Sequence, residues 1–459
     1  ELKKRGYASR PLIMMSNGGV LSTETASRFP VRMMESGPAA GALVASYYAE
    51  RLGLDRLLSF DMGGTTAKAC LIEDHKPTVT GLFEVDRMYR FKAGSGMPVI
   101  IPAIDMIEIG AGGGSLASVD ALGLLKVGPR SAGSEPGPAC YGRGGENPTV
   151  TDADLVLGLL DADNFLGGDM QLDQAASEAA IKPLADRLGT SIQPTARGIF
   201  QVVNESMAAA ARAHATDRGI DYRGMPVLAF GGAGPVHACH VAELLESTTV
   251  IYPPLASVLS AFGTLVTPVR FDLARGTAGG IDWEQAGKTY AEMASEAGIA
   301  LEAAGCAPDE IDYIYGADMR YAGQQNEVTI DFDGDPTGQQ DIDSMRESFE
   351  TSYESQYGLR LPNMKIEVVA WRISANGPAV ERHGVPELAA SANEPKAQRP
   401  VFINDAEEPV AVYDRPALAA GQTMVGPVII EERETTIFIL PGWTASVAEN
   451  GCITAERKG

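Results

Sequence analysis

Through the first part of the chain, short apolar runs that end in glycines alternate with stretches of helical spacing. Leu57-Leu58-Ser59-Phe60 reads as a buried strand that delivers Asp61 to its end. Gly63 and Gly64 then let the backbone turn tightly and approach a ligand, since neither carries a Cβ. Residues 65–72, beginning Thr65-Thr66, predict a second strand, closed by the polar turn Glu73-Asp74-His75-Lys76-Pro77. A strand over residues 105–109 runs into a second glycine loop, Gly110-Ala111-Gly112-Gly113-Gly114-Ser115. A third arrangement is the strand Val227-Leu228-Ala229-Phe230, the loop Gly231-Gly232-Ala233-Gly234-Pro235 and a helix over 236–246.

Between these runs, residues 35–41 open a small-residue helix that reaches about Leu52, and residues 127–147 carry too many Gly and Pro for regular structure. A segment of that length inside a domain points to function. Thr151 and Asp152 read as the cap of a helix over 154–160, and apolar spacing predicts another over 196–219. Past Phe271 the pattern changes. Helices are expected over 283–304 and 344–357, extended segments over 313–332 around Arg320-Tyr321-Ala322-Gly323-Gln324-Gln325, and short strands with Gly/Pro turns over 365–454. A boundary near residue 272 therefore separates an α/β region, 1–271, from a mixed region with a β-rich end, 272–459.

The Asp-x-Gly-Gly-Thr hairpin suggests chemistry as well as shape. Its backbone N–H groups suit phosphate oxygens while Asp61 faces a magnesium ion. A P-loop or dinucleotide fold would place a helix after the glycines, where this chain has β-branched residues. The bland alternative is a structural hairpin. In the third arrangement glycines do precede a helix, whose N-terminus favours an anion or a purine edge.

The 459 residues, 45% hydrophobic and 21% charged, suit a soluble globular protein of two or three domains. A net charge of −23 argues against a nucleic-acid partner. Five scattered cysteines without a CxxC pair point to reduced thiols in a cytoplasmic protein. No apolar run approaches the ~20 residues that span a bilayer, so no membrane partner is expected. Glu1-Leu2-Lys3-Lys4-Arg5 reads as the tail of a helix, so a preceding segment of a longer protein is expected.

Several motifs together resemble the hydantoinase A / 5-oxoprolinase family, which includes subunits of ATP-dependent acetone and acetophenone carboxylases. They are Ser16-Asn17-Gly18-Gly19, Ser36-Gly37-Pro38-Ala39-Ala40-Gly41, Asp61-Met62-Gly63-Gly64-Thr65 and the Gly110–Ser115 loop. Pro136-Gly137-Pro138-Ala139-Cys140-Tyr141, Thr151-Asp152-Ala153, Phe230-Gly231-Gly232-Ala233-Gly234-Pro235-Val236-His237 and Arg320-Tyr321 continue the series in the family's order. The resemblance implies an actin/Hsp70/sugar-kinase-like ATPase core (ribonuclease H-like) followed by a mixed α/β, β-rich C-terminal region. It departs in two places. The family's first phosphate hairpin is absent, so Asp61 to Thr65 matches the second. Many relatives also have Asp-x-His-Thr-x-Gly where this chain has Asp105-Met106-Ile107-Glu108-Ile109-Gly110, leaving Glu108 as the nearest substitute for the histidine.

The same resemblance carries expectations for the site. Mg2+ and ATP fall to Asp61, Gly63, Gly64, Thr65 and Thr66, with Gly231, Gly232, Ala233 and Gly234 beside the adenosine. Asp105, Asp152 and His237 are candidate ligands of a second divalent metal (Zn, Mn or Fe), or structural hydrogen-bonding groups. Asp61, Asp105, Glu108 and Cys140 are the catalytic candidates, with burial the alternative for Cys140. The implied reaction is ATP-dependent ring opening of a cyclic amide (hydantoin, N-methylhydantoin or 5-oxoproline type) through phosphorylation of its carbonyl oxygen, with a B-type subunit as partner in a hetero-oligomer. Ketone carboxylation and a non-catalytic ATP-binding scaffold are the alternatives.

Overall fold

The computed structural model describes residues 3–7, 10–81, 83–85, 94–277, 281–324, 327–339, 341–378, 388–389, 391 and 393–457. Glu1 and Leu2 of the expected leading helix tail, and Gln325 of the turn begun by Arg320, lie outside them. The architecture is mixed α/β, with one nine-stranded sheet and two four-stranded sheets among the described residues.

The large sheet contains β1 (Arg56–Met62), β2 (Ala67–Glu73), β3 (Ile107–Ile109), β4 (Val227–Phe230), β5 (Thr249–Tyr252), β6 (Thr423–Val425), β7 (Trp443–Val447) and β8 (Ile453–Arg457). Their spatial order is β3-β2-β1-β4-β5-β8-β7-β6, and the short strand Lys76–Pro77 also pairs with β2. Within this sheet β4 runs parallel to both β1 and β5.

Alternation along the strands sends side chains to two faces. Leu58, Phe60 and Met62 of β1 share a core with Ile199, Val203 and Met207 of helix α4, which spans Ile192–Asp217. On the opposite face, Leu57 of β1 with Leu228 and Phe230 of β4 meets Ala39, Ala42 and Ala45 of α1 (Ser36–Leu52). The remaining helices around this sheet are α2 (Val150–Val156), α3 (Gln174–Leu188), α5 (Gly234–Leu244) and α6 (Leu259–Val266).

The second sheet, ordered Arg270–Gly276, Ile366–Asn376, Asp312–Tyr321, Val328–Phe332, begins close to the expected boundary at residue 272. Its core also takes Met15, Leu21 and Ala26 from the start of the chain, together with the helices Trp283–Ala304 and Ile342–Tyr357. After it the chain returns, and β8 pairs antiparallel with β5. Among the described residues no helix is long and apolar enough to cross a membrane.

Two local expectations change. The helix expected at 154–160 spans Val150–Val156, because Thr149 and Asp152 form a capping box: the Thr149 hydroxyl receives the Asp152 N–H, and the Asp152 carboxylate receives the Thr149 N–H. Helix α3 has no counterpart in the sequence reading, and Pro183 sits inside it.

Small residues let α1 and α6 approach closely. A Cβ at Gly263 would lie 2.1 Å from the Ala40 carbonyl oxygen. Gly263→Ala should therefore destabilise the protein by about 1–3 kcal/mol, the usual range for overpacking, seen as a lower urea midpoint. An unchanged midpoint would mean that the two helices can part without cost.

Candidate functional site

The β1–β2 register runs from Arg56↔Glu73 to Met62↔Ala67, and residues 63–66 close the hairpin. The Gly63 N–H donates to the Thr66 carbonyl at 3.0 Å. Gly64 and Thr65 are exposed, and their N–H groups have no protein acceptor among the described residues. Two adjacent open N–H groups at a tight turn are the arrangement that backbone anion sites use.

Parallel pairing of β1 with β4 places Phe230 opposite Asp61, so both strands leave the sheet at the same level. The Gly231–Gly234 loop therefore lies against the hairpin, with the Ala233 N–H donating to the Met62 carbonyl at 3.0 Å. Gly231 has φ +88°, and a Cβ there would stand 2.4 Å from the Met62 carbonyl oxygen and 2.6 Å from Asp61 Oδ1. The second glycine loop supports the hairpin from beneath. Its Gly113 and Gly114 N–H groups donate to the Gly63 and Gly64 carbonyls at 3.1 and 2.7 Å. A Cβ on Gly112 would come within 2.7 Å of the Thr65 nitrogen.

Asp61 faces the α1 and α6 side, where Ser260 Oγ donates to its Oδ2 at 3.3 Å. Burial pushes its carboxyl above the ordinary range, against the opposing charge of Lys68. Lys68 is the cross-strand neighbour of both Asp61 and Glu108, which makes a Glu108–Lys68–Asp61 row across three strands. Lys68 Nζ donates to Thr66 Oγ1 at 2.7 Å and lies 3.3 Å from Glu108 Oε1.

Sequence reasoning missed Lys68 and Ser260. Lys68 was within reach of it: two residues past Thr66 on a strand, it shares that residue's face. Ser260 left no local signal, because only the packing of α1 against α6 brings it to Asp61. These residues fit a magnesium–nucleotide group. The half-buried Asp61 carboxylate lacks a full set of donors among the described residues, and the N–H groups of Gly64 and Thr65 suit phosphate oxygens.

The expected second metal set does not form. Asp105 is held 2.6 Å from Arg218 Nη2 and 3.6 Å from His214 Nε2. His237 is fully buried, its Nδ1 2.9 Å from Asn204 Oδ1 and its Nε2 3.3 Å from Asp154 Oδ2. Asp152 accepts five hydrogen bonds, from the N–H groups of Ala139, Cys140 and Thr149 and the hydroxyls of Thr149 and Ser177. That number saturates a carboxylate and leaves it no lone pair for an ion. Asp105, Asp152 and His237 thus belong to three separate networks, and among the described residues no three His, Cys, Asp or Glu side chains gather as a metal site.

For Cys140 the structure favours the alternative reading, burial. The residue is buried, and burial first, then the Asp152 charge, raises its thiol far above the ordinary value. A neutral, enclosed thiol is a poor nucleophile.

Fold and loops thus define a mixed α/β protein with two open backbone N–H groups where a parallel strand pair ends. The chain belongs to the hydantoinase/oxoprolinase family: residues 1–273 match its hydantoinase/oxoprolinase model and 282–454 the hydantoinase/oxoprolinase C-terminal domain. It is 36% identical to an uncharacterised protein of Methanocaldococcus jannaschii, over 99% of this chain and 66% of that protein. It is 34% identical to the caprolactamase subunit alpha of Pseudomonas jessenii, over 94% of this chain and 62% of that subunit. The chain therefore spans a little under two thirds of these relatives. A nucleotide-free structure of acetone carboxylase, described as ATP-dependent, superposes with a TM-score of 0.82 at 25% identity, covering 99% of this chain and 66% of that one.

The raised carboxyl of Asp61 has a thermodynamic consequence. Its folded-state pKa lies above the ordinary 3.8, so its contribution to stability is full below 3.8 and is lost as pH rises through the folded value. At neutral pH without nucleotide, Asp61→Asn should unfold at a higher temperature than the parent protein, and the gap should narrow as pH falls toward 3.8. A lower melting temperature for Asp61→Asn in thermal scans at neutral pH would contradict this.

Proposed function

We propose that this chain is the nucleotide-binding part of an ATP-dependent cyclic amidohydrolase of the hydantoinase/oxoprolinase type. The reading is carried by one observation: three glycine loops, distant in sequence, meet at the open N–H groups of Gly64 and Thr65 beside the half-buried carboxylate of Asp61. Asp61 would hold magnesium through water, Gly63 to Thr66 would cradle the phosphates, and Gly231 to Gly234 would border the adenosine. Bound magnesium would neutralise phosphate charge as the phosphoryl group moves to a carbonyl oxygen. The hairpin and its parallel neighbour support assigning the core to the actin/Hsp70/sugar-kinase type.

Phosphorylation is what makes hydrolysis of an unstrained amide feasible, because it converts the carbonyl oxygen into a leaving group. The protein's share is positioning and charge stabilisation by fixed backbone dipoles and Lys68. The likeness to caprolactamase supports the cyclic-amide class of substrate and a second subunit, of the B type, as partner. We place the protein in the cytoplasm, in keeping with its free cysteines. The likeness to acetone carboxylase supports a second reading, in which the same device activates a ketone for carboxylation.

ADP formation from Mg-ATP by the complete protein, co-expressed with its neighbouring subunit, tests both readings. Turnover that depends on a hydantoin or lactam and ignores bicarbonate is expected; turnover needing a ketone and bicarbonate together selects the carboxylase. Asp61→Ala should lower turnover at least about 100-fold while the far-UV spectrum is unchanged. Near-normal turnover in that variant would remove the phosphate-site assignment.

A further inference from the structure

Lys68 is shared by several carboxylates on the sheet face that carries Asp61. From β2 it pairs across the strands with Asp61 of β1 and with Glu108 of β3, and directly opposed residues lie on one face. It also acts electrostatically on Glu35, just before α1. Its ammonium reaches back to the hairpin, where Nζ donates to Thr66 Oγ1 at 2.7 Å, one residue past the open N–H groups of Gly64 and Thr65. Resting on the nucleotide reading above, we propose that Lys68 changes partners when nucleotide binds: it leaves Glu108 and contacts the phosphoryl group awaiting transfer.

The contact it gives up is loose. Lys68 Nζ lies 3.3 Å from Glu108 Oε1, beyond the range of about 2.7–2.9 Å for a charge-assisted hydrogen bond, and the glutamate side chain is 39% exposed. An ion pair that open to water holds its partner weakly. The contact it gains is within reach, since Thr66 and Lys68 share a strand face and the ammonium already touches the hairpin. A lysine ammonium donates three hydrogen bonds from a flexible stem, so it can keep Thr66 while exchanging Glu108.

The charges at the site drive the exchange. Burial raises the Asp61 carboxyl and Lys68 opposes that rise, so without ligand the ammonium is a counter-charge to Asp61. With magnesium at Asp61 that part is filled, and Lys68 is repelled from one side while a phosphate at the turn attracts it from the other. The exchange also acts on the cleft of about 480 Å3 that Glu108 and Thr66 both border. Glu108 loses a positive neighbour only when nucleotide is present, and so becomes a stronger acceptor for a hydrogen-bond donor in that cleft.

Binding of Mg-ADP to the complete protein, with and without aluminium fluoride, gives the test. Aluminium fluoride with ADP mimics a phosphoryl group in transit, and equilibrium dialysis with labelled ADP measures both affinities. Aluminium fluoride should tighten Mg-ADP binding in the parent protein, and Lys68→Met should cut that gain at least about tenfold while leaving Mg-ADP alone within about threefold. Glu108→Gln removes the competing partner, so it should enlarge the gain, and the enlargement should be lost in the double variant with Lys68→Met. Equal weakening of both complexes by Lys68→Met would mean that Lys68 only holds the hairpin through Thr66, and would overturn the proposal. A Glu108→Gln effect that persists without Lys68, or no tightening by aluminium fluoride in parent protein that binds Mg-ADP, would overturn it as well. Parent protein that does not bind Mg-ADP at all would overturn the nucleotide reading with it.

Discussion

The site depends on the parallel register between β1 and β4. With Phe230 opposite Asp61, two segments far apart in the chain leave the sheet side by side, and their turns share one space. The contact is close because residue 231 has no Cβ and adopts a positive φ; any other residue would intrude on the Met62 carbonyl and the Asp61 carboxylate together. A slip of one residue would turn Asp61 toward the apolar α4 face. The Gly110–Ser115 loop then fixes the hairpin by hydrogen-bonding its carbonyls, which leaves the opposite side of the same peptides open.

Two aspartates, Asp152 buried and Asp61 half-buried, show how surroundings decide the role of one residue type. Asp152 is enclosed and saturated by five donors, so its charge is spent holding the Ala139–Tyr141 turn against α2. Asp61 has one hydroxyl at 3.3 Å and a lysine across the strand, too little to offset its desolvation. A carboxylate left short of partners lowers the stability of the ligand-free fold, and the magnesium proposed at Asp61 would offset that loss. Stability given up at a site for function is a common pattern in proteins.

Features encoded locally were legible in the sequence. The hairpin, the strands before each glycine loop and the helix after Gly231 arise from glycine placement and from alternation over a few residues. The helix cap was misplaced by a few residues because Thr149 and Thr151 both offer a capping hydroxyl, and only the hydrogen bonds to Asp152 distinguish them. Long-range juxtapositions were not legible. Nothing near Asp105, Asp152 or His237 announces Arg218, Ser177 or Asn204, and those partners turn candidate ligands into members of separate networks. Ser260 and the α3 helix were missed for related reasons, the first because its partner is remote, the second because Pro183 interrupts the helical pattern.

A second sheet begins at Arg270, yet the glycine loops of the candidate site draw on residues from both before and after it. Strand β8 covers the edge of β5 that would otherwise be open, and Trp443 of β7 donates its indole N–H to Glu243 of α5 at 3.0 Å. Nearer the site, Thr435 Oγ1 donates to the Gly232 carbonyl at 3.0 Å, and Glu434 accepts from Ser257 at 3.3 Å. The Gly231–Gly234 loop is thus held by β1 on one side and by residues close to the end of the described chain on the other. An unpaired β5 edge would expose backbone donors and acceptors to aggregation. The segment up to residue 271 consequently lacks, by itself, both the cover for its central sheet and one of the hydrogen bonds that fixes the proposed adenosine-side loop.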